Sequence, residues 1–117
     1  MAKYSLKFLP QALAEFKALD GSIRVKLKKL LEKRLDDPHV PGSELHGALR
    51  GVYKIKLRKE GFRLAYLVQD EALVVIVVAA GKREGGAIYE HAATRVSGVR
   101  PMVVSKRGQV DRVRRPR

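Results

Sequence analysis

The chain has 117 residues, and its 25 Lys and Arg against 12 Asp and Glu leave a formal net charge of +13. This length suits one domain with a core of modest size. Because cysteine is absent, disulfides and thiolate metal sites are excluded, and no apolar run reaches the roughly 18 residues of a membrane span. The excess positive charge indicates a polyanionic partner, an acidic protein partner or both.

The opening residues, MAKYSLKFLP, lack the apolar core and the cleavage site of a secretory signal. The absence of cysteine agrees with a reducing compartment. We therefore expect a cytoplasmic protein that has no membrane partner.

The first third of the chain predicts a strand followed by two helices. Apolar and polar residues alternate over 3–8, which is typical of a half-buried strand. Pro10 suits the first turn of a helix, and Asp20 with Gly21 ends that helix. Ser22 is the predicted N-cap of a longer second helix. The second helix has a basic outer face and an apolar inner face formed by Ile23, Leu27, Leu30, Leu31 and Leu35.

After a loop rich in Pro and Gly over 38–51, with a short extended piece at 44–46, the sequence predicts a β-hairpin. Its strands, 52–58 and 62–68, both alternate apolar with other residues, and Gly61 suits the reversal between them. Directly opposite residues in an antiparallel pair share a sheet face. Matching the two apolar faces therefore requires a loop with an even number of residues.

Residues 73–80 are apolar without alternation, which predicts a strand that is covered on both faces and pairs with the second hairpin strand. A polar turn over 81–86 leads into a short helix, about 87–96. Beyond it the periodicity ends, and 97–117 is predicted to be a basic, flexible extension of a single domain, 1–96.

These elements predict an α+β fold: a small, mainly antiparallel sheet of about four strands, with an N-terminal helical hairpin packed on one face and a short C-terminal helix. We expect the helices to cover one sheet face. The other face would then remain open as a shallow concavity.

Cations mark the predicted open face. Lys54, Lys56 and Arg63 lie on the same side of the hairpin with no acid among them, which indicates a surface for anions such as RNA phosphates. The alternative is that this is only the solvated face of an antiparallel sheet. Lys82 and Arg83 follow the apolar strand and can approach the same concavity.

Tyr89 lies a short distance further along the chain. An aromatic ring beside a basic cleft can stack on an unpaired base, although an ordinary partly buried helix residue fits its pattern equally well. No Gly-rich phosphate loop is present, the acidic residues do not have metal-ligand spacing, and the three histidines lie far apart in sequence. We expect neither a metal site nor a cofactor.

At this point the motifs resemble a known family. The segments 53-YKIKLR-58, 61-GFRL-64 and 81-GKRE-84, followed by Tyr89, are similar to the RelE family of bacterial toxins, within the RelE/ParE superfamily of toxin–antitoxin systems. The similarity covers about residues 2–96, and the extension beyond has no counterpart in the family pattern.

The resemblance implies a microbial-ribonuclease-like fold and a ribosome-dependent mRNA interferase, an endoribonuclease that cuts messages in the ribosomal A site. It also implies a RelB-like antitoxin partner. The functional positions of the family fall on Lys54, Lys56, Arg63, Arg83 and Tyr89. Arg58 and Lys82 are expected to be additional RNA contacts.

Cleavage by the RNA 2′-hydroxyl requires a base, stabilisation of the phosphoryl oxygens and help for the leaving 5′-oxygen. We assign the base to one of the two lysines, Lys56 ahead of Lys54, because neighbouring cations lower a lysine pKa. Arg63 would stabilise the phosphorane, Arg83 the leaving oxygen, and Tyr89 would orient the base.

Two other functions fit parts of the same sequence. A ParE-like toxin would inhibit DNA gyrase by protein contact and would not need the cationic set. A basic RNA- or ribosome-binding module would bind in a salt-sensitive way without cleaving the strand.

Overall fold

A computed structural model of the chain describes residues 3–83 and 86–99. The elements in that part are β1 (Ser5–Phe8), α1 (Pro10–Lys17), α2 (Gly21–Arg34), a 3₁₀ turn (Gly47–Leu49), β2 (Val52–Leu57), β3 (Phe62–Gln69), β4 (Val74–Lys82) and α3 (Ala87–Val99). The four strands form one sheet in the order β1-β4-β3-β2. Only the β1–β4 pair is parallel, which confirms the predicted α+β class and the mainly antiparallel sheet.

The β2–β3 hairpin has the register that its alternation predicts. Leu57 lies opposite Phe62 and Lys56 opposite Arg63, so a loop of four residues, 58–61, joins the strands. Gly61 has a φ of +79°, a value that glycine adopts without strain. The predicted extended piece is also present, as a single bridge between Glu44 and Tyr53.

The α1 and α2 helices cover one face of the sheet. Leu27 and Leu31 of α2 are fully buried, and each such side chain contributes about 1.5–3 kcal/mol relative to exposure. Tyr66 of β3 is buried beneath them and donates a 2.8 Å hydrogen bond from its hydroxyl to the Pro38 carbonyl. The predicted apolar face of the second helix is confirmed.

The start of α2 differs from the prediction. Asp20, not Ser22, occupies the N-cap position, and Gly21 is the first helical residue. The Ser22 hydroxyl donates a 2.8 Å hydrogen bond to Asp20 Oδ2. Both residue types favour N-caps, but the carboxylate at this end also complements the helix dipole.

The α3 helix packs on the second face of the sheet, so the prediction that the helices cover only one face was wrong. Ile88, Ala92 and Val96 of α3 are buried against this face. The sheet residues that they contact are Val52, Ala65, Leu67, Val78 and Ala79. These residues are apolar and partly small, which allows a helix to approach the sheet closely. The cations therefore occupy only the part of this face that α3 leaves uncovered.

The helix α3 continues to Val99, past the predicted end at Val96. The remainder of the predicted basic extension, from residue 100, lies outside the described residues. Within residues 3–83 and 86–99, no helix combines the length and hydropathy needed to cross a bilayer.

A polar network lies at the end of the sheet where β3 finishes. Asp70 Oδ1 accepts a 2.7 Å hydrogen bond from the Tyr4 hydroxyl and lies 2.7 Å from His39 Nε2. The other ring nitrogen of His39 lies 2.9 Å from the Tyr53 hydroxyl. These bonds connect the segment after α2 to the strands β2 and β3.

Candidate active site

Alternation along the hairpin places three cations on one patch of the second sheet face. Lys54 and Lys56 come from β2, and Arg63 comes from β3 directly opposite Lys56. Each of these side chains is partly exposed. The opposite partner of Lys54 is Ala65, which is buried beneath α3. The hairpin register thus brings together the three cations that the alternation predicts.

The end of β4 brings a fourth cation to this patch. The backbone N–H of Arg83 donates a 2.8 Å hydrogen bond to the carbonyl of Gly61 in the hairpin loop. A cleft of about 210 Å³ lies at this junction, lined by Lys56, Leu57, Arg58, Gly61, Phe62, Arg63 and Arg83. Among the described residues, none of the side chains that line the cleft is acidic. Glu60 of the same loop forms an ion pair with Lys26 of α2 instead.

Tyr89, in the first turn of α3, contacts Arg63. Arg63 Nη1 donates a 3.3 Å hydrogen bond to the Tyr89 hydroxyl. The Arg63 Cζ atom also lies 5.5 Å from the centre of the Tyr89 ring, a distance at which a cation–π attraction operates. Tyr89 is therefore held beside the cations, at the boundary between α3 and the open part of the sheet face.

The surrounding cations lower the pKa of the Lys56 ammonium. Lys54 is the largest cause, followed by desolvation and by Arg63, with smaller effects from Arg58 and Arg83. Crowding of like charges disfavours the protonated form of each group. A lysine whose pKa falls below the usual value of about 10.4 is a more effective general base near neutral pH.

The structure brings together all but one of the predicted site residues. The exception is Lys82, which is opposite Phe62 in the register and therefore lies on the other sheet face, toward α1 and α2. Arg58 is exposed in the hairpin loop and lines the cleft. The roles of all these residues in binding or catalysis stay predictions.

Sequence reasoning missed a pair of residues that joins α1 to α3. Glu15 of α1 and Arg95 of α3 form a double hydrogen bond, with lengths of 2.9 and 2.8 Å. The two residues are 80 positions apart, so no local pattern connects them. Over the described ranges, no group of three His, Cys, Asp or Glu side chains is placed to hold a metal ion.

Comparisons with known proteins agree with this architecture. The family model of the ParE toxin of type II toxin–antitoxin systems matches residues 6–85. The mRNA interferase toxin RelE of Escherichia coli K12 is 42% identical over 93 residues, which is 80% of this chain and 97% of that protein.

Solved structures show the same relationship. A mutant of the E. coli toxin RelE in the free state has a TM-score of 0.74 and 42% identity, and the match covers 82% of this chain and 99% of that chain. The intact E. coli RelBE toxin–antitoxin complex contains a chain that matches with a TM-score of 0.66 and 43% identity, over 69% of this chain and 98% of that chain. The predicted RelE-like fold is confirmed.

Proposed function

The chain belongs to the ParE toxin family of type II toxin–antitoxin systems, and on that premise we propose that it is an mRNA interferase that cuts messages in the ribosomal A site. One observation carries this proposal: Arg63 lies between Lys56 and Tyr89, within a cleft that Arg83 also lines. A candidate base, cations for a phosphoryl group and a stacking ring therefore lie within reach of one nucleotide. The 42% identity to a protein named as an mRNA interferase supports the same conclusion.

The proposed reaction begins when Lys56 takes the proton of the RNA 2′-hydroxyl. The resulting oxygen attacks the adjacent phosphorus, and the bond from phosphorus to the 5′-oxygen of the next nucleotide breaks. The 5′-oxygen takes a proton from water and Lys56 returns its proton to the solvent, so the products are a 2′,3′-cyclic phosphate and a free 5′-hydroxyl. The lowered pKa of Lys56 supports this role because a larger fraction of the amine is neutral near pH 7.

The two arginines place positive charge beside the oxygens on which negative charge develops during the reaction. Arg63 can contact two phosphoryl oxygens with its planar fork and stabilise the pentavalent phosphorane. Arg83, which also lines the cleft, would stabilise the leaving 5′-oxygen electrostatically. We assign it no proton transfer because guanidinium hardly gives up its proton.

Tyr89 would stack on the base next to the scissile phosphate and fix its orientation. The site contains no side chain that is well tuned as a general acid among those the structure describes. Much of the rate would therefore come from holding the 2′-hydroxyl in line with the leaving oxygen. We propose that the ribosome imposes this geometry on the message, and that no metal ion takes part.

The partners follow from the same proposal. The E. coli RelE relative has been solved in a complex with an antitoxin, RelB, and we expect a RelB-like antitoxin for this chain. Its targets would be the ribosome and the bound message, so we propose that it acts in the cytoplasm.

The test is cleavage of a defined message on programmed ribosomes, with the same message free in solution alongside. We expect wild-type protein to cut at the A-site codon and Arg83→Ala to lose at least about tenfold in rate, since one charge-assisted contact is removed. Lys7→Ala, which removes an exposed cation from β1 on the far side of β4, serves as the control and should cut like wild type.

Two results would contradict the proposal. If the wild-type protein binds ribosomes but leaves the message uncut, the chain is a binding module and not a nuclease. Inhibition of DNA supercoiling by gyrase would then test the ParE-like alternative. Equal cutting by wild type and Arg83→Ala would leave the activity in place but would exclude the assigned site.

A further inference from the structure

A pair of side chains, not a strand, completes the hydrogen bonding of β4 next to α1. The β1 strand pairs with β4 only as far as Val77. Beyond that point, the backbone N–H of Ala80 donates a 3.2 Å bond to Glu15 Oε1. Arg95 Nη1 donates a 2.9 Å bond to the carbonyl of Val78. Buried backbone groups require such partners, and here they come from α1 and α3.

Glu15 and Arg95 also bind each other in a two-pronged geometry. Nη1 and Nη2 of Arg95 lie 2.9 and 2.8 Å from Oε1 and Oε2 of Glu15. The side chains are only 27% and 15% exposed, so solvent screens the pair weakly. Burial raises the pKa of Glu15, but the bonds from Arg95 and from the Ala80 backbone outweigh this effect and lower it. The carboxylate is therefore ionised and engaged at neutral pH.

Besides this pair, α3 is held by apolar contacts with the sheet and with the loop before β2, and His91 Nδ1 lies 3.9 Å from Glu15 Oε2. Ile88, Ala92 and Val96 provide its buried side chains. The packing is tight where α3 begins, because a Cβ added to Gly81 would lie 3.2 Å from Ile88 Cδ1. Tyr89 is the next residue, so its position relative to Arg63 depends on where α3 lies.

We propose that Glu15 and Arg95 are positioning residues that fix α3 against β4 and thereby hold the Tyr89 ring beside Arg63. Arg95 lies six residues after Tyr89 on α3, and neither Glu15 nor Arg95 lines the cleft of the cations. As a contribution to catalysis, this inference rests on the proposed function.

The first test measures the position of α3 without any activity. In Arg95→Ala, amide hydrogen exchange over α3 should be at least about tenfold faster than in wild type, since charge-assisted bonds are lost. Exchange in the β2–β3 hairpin should change less than about twofold, because its other face packs against α1 and α2. Unchanged exchange over α3 would overturn the proposal.

The second test separates positioning from a loss of folded protein. On programmed ribosomes, Arg95→Ala should lower kcat by about fivefold with less than a twofold change in KM. In a protein that already carries Tyr89→Ala, Arg95→Ala should lower kcat by less than about twofold. The effects of two substitutions are not additive when one residue acts through the other. If Arg95→Ala lowers kcat equally in wild type and in Tyr89→Ala, the proposal is overturned. A substitution that only destabilises the fold would lower kcat in both proteins alike.

Milder variants keep the test decisive if Arg95→Ala folds poorly. Arg95→Lys retains the positive charge but lacks the planar guanidinium that binds two oxygens at once. This variant should retain at least about half of the wild-type kcat. Glu15→Gln should resemble Arg95→Ala, whereas Glu32→Gln, the same change at an exposed site of α2, should match wild type. If wild type cuts no message, the proposed function fails, and the exchange measurement still decides whether the pair fixes α3.

Discussion

Lys56 and Arg63 lie directly opposite each other in the β2–β3 ladder, so two like charges form a cross-strand pair. Facing residues in such a ladder have Cβ atoms about 4.5–5.5 Å apart, and like charges there destabilise the sheet. Lys54 increases the repulsion from the same strand, as its effect on the Lys56 pKa indicates. A bound phosphate would relieve this repulsion, which is why an unfavourable pair fits an anion site.

We predict that removing one charge of this pair stabilises the protein while it abolishes activity. Lys56→Thr should raise the free energy of unfolding at low salt, because the repulsion ends and Thr suits a strand. The gain should shrink in high salt, where exposed charges are screened. Urea unfolding at two salt concentrations measures both effects. Lys7→Thr on β1 is the control, and a loss of stability in Lys56→Thr would contradict the prediction.

The second prediction concerns the pH dependence of cleavage. Because Lys54 is the largest cause of the lowered Lys56 pKa, Lys54→Gln should raise that pKa. The pH at which the single-turnover cleavage rate rises should then be higher than in wild type. At a pH well above this rise, the variant should keep a larger fraction of the wild-type rate than it keeps at pH 7. A variant that is inactive at every pH would assign the base to Lys54, and a rise at the same pH as in wild type would exclude Lys56.

The third prediction separates the ring of Tyr89 from its hydroxyl. Tyr89→Phe removes the 3.3 Å bond from Arg63 but keeps the stacking surface, so cleavage should fall less than about threefold. Tyr89→Ala removes the ring and should cost at least about tenfold, since stacking of one base contributes about 1–3 kcal/mol. Cleavage rates on programmed ribosomes distinguish the two. Equal losses would show that the hydroxyl, not the ring, matters.

The fourth prediction concerns stability at acid pH. Hydrogen bonding to His39, and then to Tyr4, lowers the pKa of Asp70. Its contribution is therefore present above the unfolded-state pKa of about 3.9 and is lost as the pH falls through the lower folded-state pKa. Asp70→Asn should cost about 0.5 kcal/mol at pH 7, a value reduced for the exposure of the carboxylate, and nothing at the lowest pH.

Thermal unfolding across the acid range measures this difference. The neighbouring exposed acid supplies the control, because Glu71→Gln should leave the pH dependence as in wild type. A constant difference between Asp70→Asn and wild type at all pH values would contradict the prediction.

The fifth prediction concerns alkaline pH and the partner of that carboxylate. The hydrogen bond to Asp70 raises the pKa of Tyr4 to about 12. A raised pKa means that stability is fully present below the unfolded value of about 10 and is lost as the pH rises through about 12. Tyr4→Phe should therefore lower the free energy of unfolding by about 1 kcal/mol at pH 7. The variant should also lose this dependence of stability on alkaline pH. Denaturant unfolding at several alkaline pH values tests it.

The hairpin and its cations could be predicted from the sequence because they depend on local rules. Alternation with a period of two determines on which sheet face each side chain lies. Matching the apolar faces of the two strands then requires an even number of loop residues. The face occupied by Lys82 could not be predicted in this way. The preceding residues of β4 are apolar on both sides, and the β3–β4 register shifts between Ala65 and Tyr66.

The pair of Glu15 and Arg95 shows a different limit. A charged residue on an amphipathic helix is most often solvated, and nothing near either residue indicates a partner. The contact exists because β1 is too short to pair with the whole of β4, which is a property of the assembled sheet. The apolar run over 73–80 indicates that both faces of β4 are covered, but no local pattern indicates that α3 is the element that covers the second face.

The parallel pairing of β1 with β4 also has a consequence for how the toxin is made. The first strand finds its neighbour only after residues up to 77 have been synthesised, and such distant contacts form late in folding. Arg83 and Tyr89 follow later still in the chain. A nascent chain therefore cannot assemble the cleft until nearly the whole domain has been translated. A growing chain that has not yet reached Tyr89 therefore lacks part of the site that would act on a message.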